Sequence, residues 1–117
     1  MKIQSVTVGM PSGDLERSIA WYQRIFDLDR PDLEPVEGVV EFKLGPIWLQ
    51  LGRDTVTRSG AEVVVRFGIQ DAAHEHARLA SLGVLVGELQ RVEDVIEYFN
   101  FHDPDGNLLS MYAEVES

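Results

Sequence analysis

The chain of 117 residues contains no cysteine. That excludes disulfides, thiolate metal ligands and a cysteine nucleophile together, and it fits a reducing compartment. Long apolar runs are also missing; none approaches the ~20 residues of a membrane span. The opening Met-Lys-Ile-Gln-Ser-Val-Thr-Val alternates as a strand does and lacks the continuous apolar core of a secretion signal, so the cytoplasm is the expected location. Basic residues are scarce, with 10 Lys and Arg against 20 Asp and Glu, a formal net charge of −10. Such a chain repels nucleic-acid phosphates and anionic membranes, so neither is expected as a partner, whereas a cation would be attracted. The histidines number only three. His74 and His76 sit two apart on a helical stretch, so they point about 200° apart and cannot share an ion. Both are expected on the surface, and His102 is expected in a loop.

What is present is ordinary globular material. Hydrophobic residues make up 44 % and charged residues 26 %, enough for one compact domain with a core and not the composition of a disordered chain. One pattern occurs twice. Residues 3–9 alternate and are rich in β-branched side chains. After a Pro-Ser-Gly turn, Asp14 is placed to cap a helix whose Leu15, Ile19, Tyr22 and Phe26 form one apolar stripe. Residues 63–69 are again strand-like, and Asp71, 57 positions after Asp14, caps a second helix from Ala72 to about Leu82 with Gly83 at its end.

Each helix leads into further strand material. In the first half these are Val39–Leu44 and Ile47–Leu51 around Gly45-Pro46, with a weaker candidate between Leu28 and Glu37 that Pro31 and Pro35 disfavour. In the second half they are Val84–Leu89, Val95–Phe101 and Leu108–Ala113, the last two joined by the turn Asp103-Pro-Asp-Gly-Asn107. The expected fold is α+β, with a βαβββ module over about 1–57 and another over about 60–117. Neither half can bury both its helix and its sheet alone, so the modules are expected to pair.

The stretch Asp14-Leu-Glu-Arg-Ser-Ile-Ala-Trp-Tyr-Gln-Arg-Ile-Phe-Asp-Leu28 resembles the first helix of vicinal oxygen chelate proteins, the glyoxalase, bleomycin-resistance and extradiol-dioxygenase superfamily. Phe101-His-Asp-Pro-Asp-Gly-Asn-Leu-Leu109 resembles their near-terminal turn, and Ala77-Arg-Leu-Ala-Ser-Leu-Gly-Val84 resembles their second helix. The match covers nearly the whole chain in order. It implies paired modules whose mixed, curved sheets form a cup. In metal-dependent members four His or Glu side chains on the cup floor hold a divalent ion, one from the first and one from the last strand of each module. Carried over by position, those places are Ser5, Gln50 (or Trp48), Val64 and Ser110, with Pro11-Ser-Gly13 treated as an insertion. Valine cannot ligate, and neutral hydroxyls and one amide are poor donors beside carboxylate or imidazole. A one-residue shift on the first strand still offers no His, Asp or Glu. The resemblance therefore implies a member without a metal site, and no cofactor is expected.

Strand parity gives an expected lining for the cup: Ser5 and Thr7, Trp48 and Gln50, Arg66, Ser110 and Tyr112. Aromatic walls with sparse polar groups suit a planar ligand. A buried Arg66 needs either an acidic partner, for which Glu41 is the candidate, or an anionic ligand. The expected function is a metal-free binder of a small aromatic or cationic molecule, resembling the acidic bleomycin-resistance branch, whose members sequester drugs between the subunits of a homodimer. The alternatives are a lyase, isomerase or dioxygenase of the metal-dependent branches, and a structural dimer without a ligand.

Overall fold

The computed structural model describes residues 1–53 and 63–115. It divides into two compact units, Met1–Thr57 and Arg58–Ser117. The first runs β1 (Thr7–Ser12), α1 (Leu15–Phe26), β2 (Leu33–Val36), β3 (Val39–Leu44) and β4 (Ile47–Arg53). The second repeats the order with β5 (Val65–Gly68), α2 (Ala72–Ser81), β6 (Gln90–Val92), β7 (Ile96–His102) and β8 (Leu108–Glu114). Each unit holds one four-stranded mixed sheet, in the orders β1-β4-β3-β2 and β5-β8-β7-β6. In each, the strand before the helix lies parallel to the last strand, while the later hairpins are antiparallel. A helix that crosses back over its sheet makes that parallel return possible.

Both helices start and stop where local chemistry directs. Asp14 accepts from the Arg17 amide at 3.2 Å and Asp71 from the His74 amide at 3.0 Å, each satisfying one of the orphan N–H groups of a first helical turn. Helix α1 ends at Asp27, in the left-handed region at φ 53°, with Leu28 donating back to the Gln23 carbonyl at 2.8 Å. After α2, Gly83 adopts φ 88°; it donates to Ala80 at 3.0 Å and Val84 donates to Leu79 at 3.1 Å. That pair of bonds closes a Schellman motif, and it requires the left-handed backbone that glycine adopts without strain.

The inward faces follow the two periodicities. Leu15, Ser18, Tyr22 and Ile25 are the buried residues of α1, and Met10, Val40, Phe42, Leu49 and Leu51 are the buried apolar residues of the same unit's strands. In the second unit Ala72 and Leu79 are buried with Phe99, Phe101, Leu109, Met111 and Ala113. Each fully buried side chain of this size stabilises by about 1.5–3 kcal/mol. Ser12 and Ser18 are buried polar groups in the first core, and their hydroxyls bond each other at 2.5 Å.

Four strand boundaries differ from the sequence expectation. The first strand covers residues 7–12 rather than 3–9, so Pro11 and Ser12 are strand residues and not an inserted turn. A proline fits there because β1 lies at the edge of its sheet. The segment between Leu28 and Glu37 does contain a strand, β2, also at an edge, with a register irregularity between Leu33 and Val36 that accommodates Pro35. The stretch 63–69 narrows to β5. Val84–Leu89 is not a strand: it makes one isolated bridge, Val86 with Phe101, and β6 follows at Gln90–Val92. Leu85, an apolar residue in the middle of that stretch, is 93 % exposed and joins no sheet face.

His74 is exposed on α2. His76 is half-buried, its Nε2 bonding the Gly87 carbonyl at 2.8 Å and its ring set edge-on to Phe99. His102 is the exposed last residue of β7 and not a loop residue. No helix among the described residues is long and apolar enough to cross a membrane.

Candidate functional site

The face of each sheet turned away from its helix carries the polar and aromatic residues. In the second unit, β5, β8 and β7 bring Arg66, Ser110 and Asn100 into one row across the sheet, and Gly68, Tyr112 and Tyr98 into the next. Arg66 is exposed, which corrects the buried arginine expected from sequence. Its Nη1 donates to Ser110 Oγ at 2.9 Å, and its guanidinium carbon lies 5.7 Å from the centre of the Tyr98 ring. Ser110 is fully buried; it accepts from Arg66 and donates to the Phe99 carbonyl at 3.2 Å. The hydroxyl therefore anchors the arginine to the sheet. Tyr98 Oη donates to Gln90 Oε1 at 3.2 Å, which fixes the ring from its other end.

Tyr112 is set by a glycine. A Cβ on Gly68 would stand 3.0 Å from Tyr112 Oη and 3.1 Å from its Cζ, so the phenol lies closely over the β5 backbone. Arg66, Ile96, Tyr98 and Tyr112 line an open hollow of about 520 Å3. That is within the usual range for small-molecule sites, with apolar walls and one fixed cation. Among the described residues no carboxylate lies within ion-pair distance of Arg66. Asn100 shares the Arg66 row, and its buried Oδ1 has no hydrogen-bond donor among the described residues.

The first unit holds the counterpart face, with different contents. Gly9, Gln50 and Glu41 form the row that corresponds to Arg66, Ser110 and Asn100. Gln50 Nε2 donates to Glu41 Oε2 at 2.9 Å. Thr7, Trp48 and Lys43 make the adjacent row, and Lys43 Nζ sits 5.0 Å over the Trp48 ring. Glu41 thus engages Gln50 of its own sheet. The structure brings Thr7, Trp48, Gln50 and Glu41 to one face of the first unit, and Arg66, Ser110 and Tyr112 to one face of the second.

Ser5 precedes β1 and is exposed. The duplicated frame assigns its role to Thr7, because Thr7 and Val64 each stand seven residues before their capping aspartate. Sequence reasoning missed Ile96, Tyr98 and Asn100. With Phe99 and Phe101 taken as core, strand parity alone would have turned all three to this face.

The donor set does not suit a divalent ion. Thr7, Gln50, Val64 and Ser110 offer two neutral hydroxyls, an amide and a valine, and the Ser110 hydroxyl already accepts from a guanidinium. A second cation at that oxygen would meet the Arg66 charge at close range. Among the described residues no group of three or more His, Asp or Glu side chains converges.

A family model described as the Glyoxalase/Bleomycin resistance protein/Dioxygenase superfamily matches residues 3–111. No curated protein sequence matches the chain. Among solved structures, the fosfomycin resistance protein FosX from Listeria monocytogenes is 19 % identical with a TM-score of 0.82, covering 98 % of this chain and 93 % of its own. FosX has also been crystallised, as a mutant, with Mn(II) and a dihydroxypropylphosphonic acid. A lactoylglutathione lyase from Agrobacterium tumefaciens is 22 % identical with a TM-score of 0.75, covering 94 % and 92 % of the two chains. A glyoxalase/bleomycin resistance protein from Catenulispora acidiphila is 16 % identical with a TM-score of 0.73, covering 93 % and 96 %. At these identities the likeness is one of fold.

Proposed function

The chain belongs to the Glyoxalase/Bleomycin resistance protein/Dioxygenase superfamily, and from that membership we propose that it is a metal-free binder of a small aromatic molecule rather than a metal-dependent enzyme. One observation carries the reading. The serine at the last-strand ligand position of the second unit, Ser110, is bonded to Arg66 and not left to a metal, and the same arginine forms one wall of an aromatic hollow. A guanidinium anchored by a buried hydroxyl and laid against a tyrosine is a pre-organised recognition group, because little of its rotamer freedom remains to be lost on binding. Trp48, Gln50, Glu41 and Thr7 on the first unit's sheet are the further candidate contacts. The working form is a homodimer in this reading, as in the bleomycin-resistance branch that the sequence resembles.

The decisive measurement is elemental analysis of the purified chain, followed by thermal melting with added Mn(II), Ni(II) and Zn(II). The expected result is no stoichiometric divalent ion and no specific metal stabilisation. One tightly held ion per chain would overturn the reading and restore a metal-dependent lyase, isomerase or dioxygenase. Light scattering on the eluting protein tests the dimer.

A further inference from the structure

We propose that the ligand of the second unit's hollow is a planar aromatic acid whose anionic group is held by Arg66; this rests on the binding role proposed above and names the class of molecule bound. Arginine carries five N–H donors, of which one goes to Ser110. The guanidinium carbon lies 5.7 Å from the centre of the Tyr98 ring, within cation–π range, and four N–H donors remain beside the one given to Ser110. A pair of such donors matches the geometry of a carboxylate, which two parallel N–H groups bind as a fork. The phenols of Tyr98 and Tyr112 with Ile96 supply the apolar walls for a flat ring beside it. At about 520 Å3 the hollow holds a ligand of two or three rings.

The net charge of −10 points toward a cationic ligand, and the local geometry opposes it. Exposed charges more than a Debye length away, about 8 Å at physiological salt, are largely screened. A guanidinium in contact with the ligand is not. Glu114 stands on the same sheet face, in register with Ile96, but Arg66 is the charged residue among those lining the hollow, so the guanidinium sets the sign of the group that contacts it, while the acidic remainder of the surface acts on solubility and on encounter rates.

Three probes sharing one ring system separate charge from shape: naphthoate, naphthamide and naphthylmethylamine, titrated by calorimetry into the full chain and into Arg66→Gln and Tyr112→Ala. Naphthoate is expected to bind at least about tenfold more tightly than naphthamide, in line with a charge-assisted hydrogen-bond pair. Arg66→Gln should abolish that preference by weakening naphthoate much more than naphthamide, and Tyr112→Ala should weaken both, as loss of an aromatic wall does. Arg66→Lys keeps the charge without the fork and should retain only part of the preference. Melting curves of the variants confirm that each is folded. A preference for the amine, or a naphthoate preference that survives Arg66→Gln, overturns the anion assignment and leaves the binding role standing. Failure of all three probes to bind the unaltered chain overturns the aromatic-binding role and the anion assignment with it.

Discussion

Two glycines of the second unit should respond in opposite ways to the same added methyl group. At Gly68 a Cβ meets the far end of the Tyr112 side chain at 3.0–3.5 Å. That phenol can swing by a few tenths of an ångström. Gly68 does not use the left-handed region, so alanine fits its backbone, and replacing glycine in a strand gains roughly 0.5–1 kcal/mol. Gly68→Ala should therefore melt at or slightly above the unaltered chain. At Gly87 the Cβ would stand 2.9 Å from the Asn100 carbonyl oxygen, which is backbone and already accepts the Gly87 amide at 2.7 Å. Relieving that contact breaks or stretches the bond, at about 1 kcal/mol. Displacing well-packed backbone adds roughly 1–3 kcal/mol, and the unfolded-state gain of alanine offsets only about 0.4–1 kcal/mol. Gly87→Ala should lose about 1–3 kcal/mol net, or at least about 3 °C in Tm for a chain of this size. Ligand binding should reverse the order. Displacing Tyr112 removes part of an aromatic contact worth about 0.5–1.5 kcal/mol, so Gly68→Ala should bind naphthoate roughly twofold to fourfold more weakly and Gly87→Ala should bind it normally. Calorimetric melting and titration of the two variants decide the matter. Equal destabilisation would show that Tyr112 cannot yield, and unchanged affinity in Gly68→Ala would remove Tyr112 from the site.

Two further variants probe the buried polar groups. Asp103 is buried and accepts from the amides of Asp105 and Asn107 and from Asn107 Nδ2, all at 2.8–2.9 Å, so Asp103→Ala should cost about 2–4 kcal/mol in denaturant unfolding, and a cost below about 1 kcal/mol would mean that the turn holds itself. Ser12→Ala deprives the buried Ser18 hydroxyl of its Ser12 partner and should cost about 1–2 kcal/mol, whereas the Ser12→Ala/Ser18→Ala pair should cost less than the sum of the two single changes; strict additivity in the double-mutant cycle would refute the coupling.

The parts of the fold that were legible in the sequence are those where one local signal and one periodicity agree. Both helices, their capping aspartates and Gly83 belong to this group, as do β3, β4, β7 and β8, whose bounds fall within about two residues of the alternating runs. Edge strands were harder to place. Prolines that normally argue against a strand are tolerated in β1 and β2, the edge strands of their sheet, and β6 is a short Gln-Arg-Val with no apolar pattern to announce it. In the candidate site, the residues of β8 could be placed by counting from the Asp103 turn. Tyr98 escaped because it gains its meaning from its neighbours across the sheet, Tyr112 in register and Arg66 over its ring. The exposure of Arg66 was likewise not written in its own strand.

The duplicated frame has a consequence for how such a protein can be redesigned. Gly9 and Arg66 occupy twin positions, as do Gln50 and Ser110, and Glu41 and Asn100. An arginine at position 9 would begin with a Cβ 3.4 Å from Gln50 Oε1, so the first copy has filled with an amide the space that the second copy gives to its cation. Each half has its own capping aspartate and its own buried core beneath its sheet, so one local frame carries two different sets of face residues. For a protein engineer the repeat offers the Gly9–Gln50–Glu41 row as a second place on the same local frame where recognition chemistry can be written.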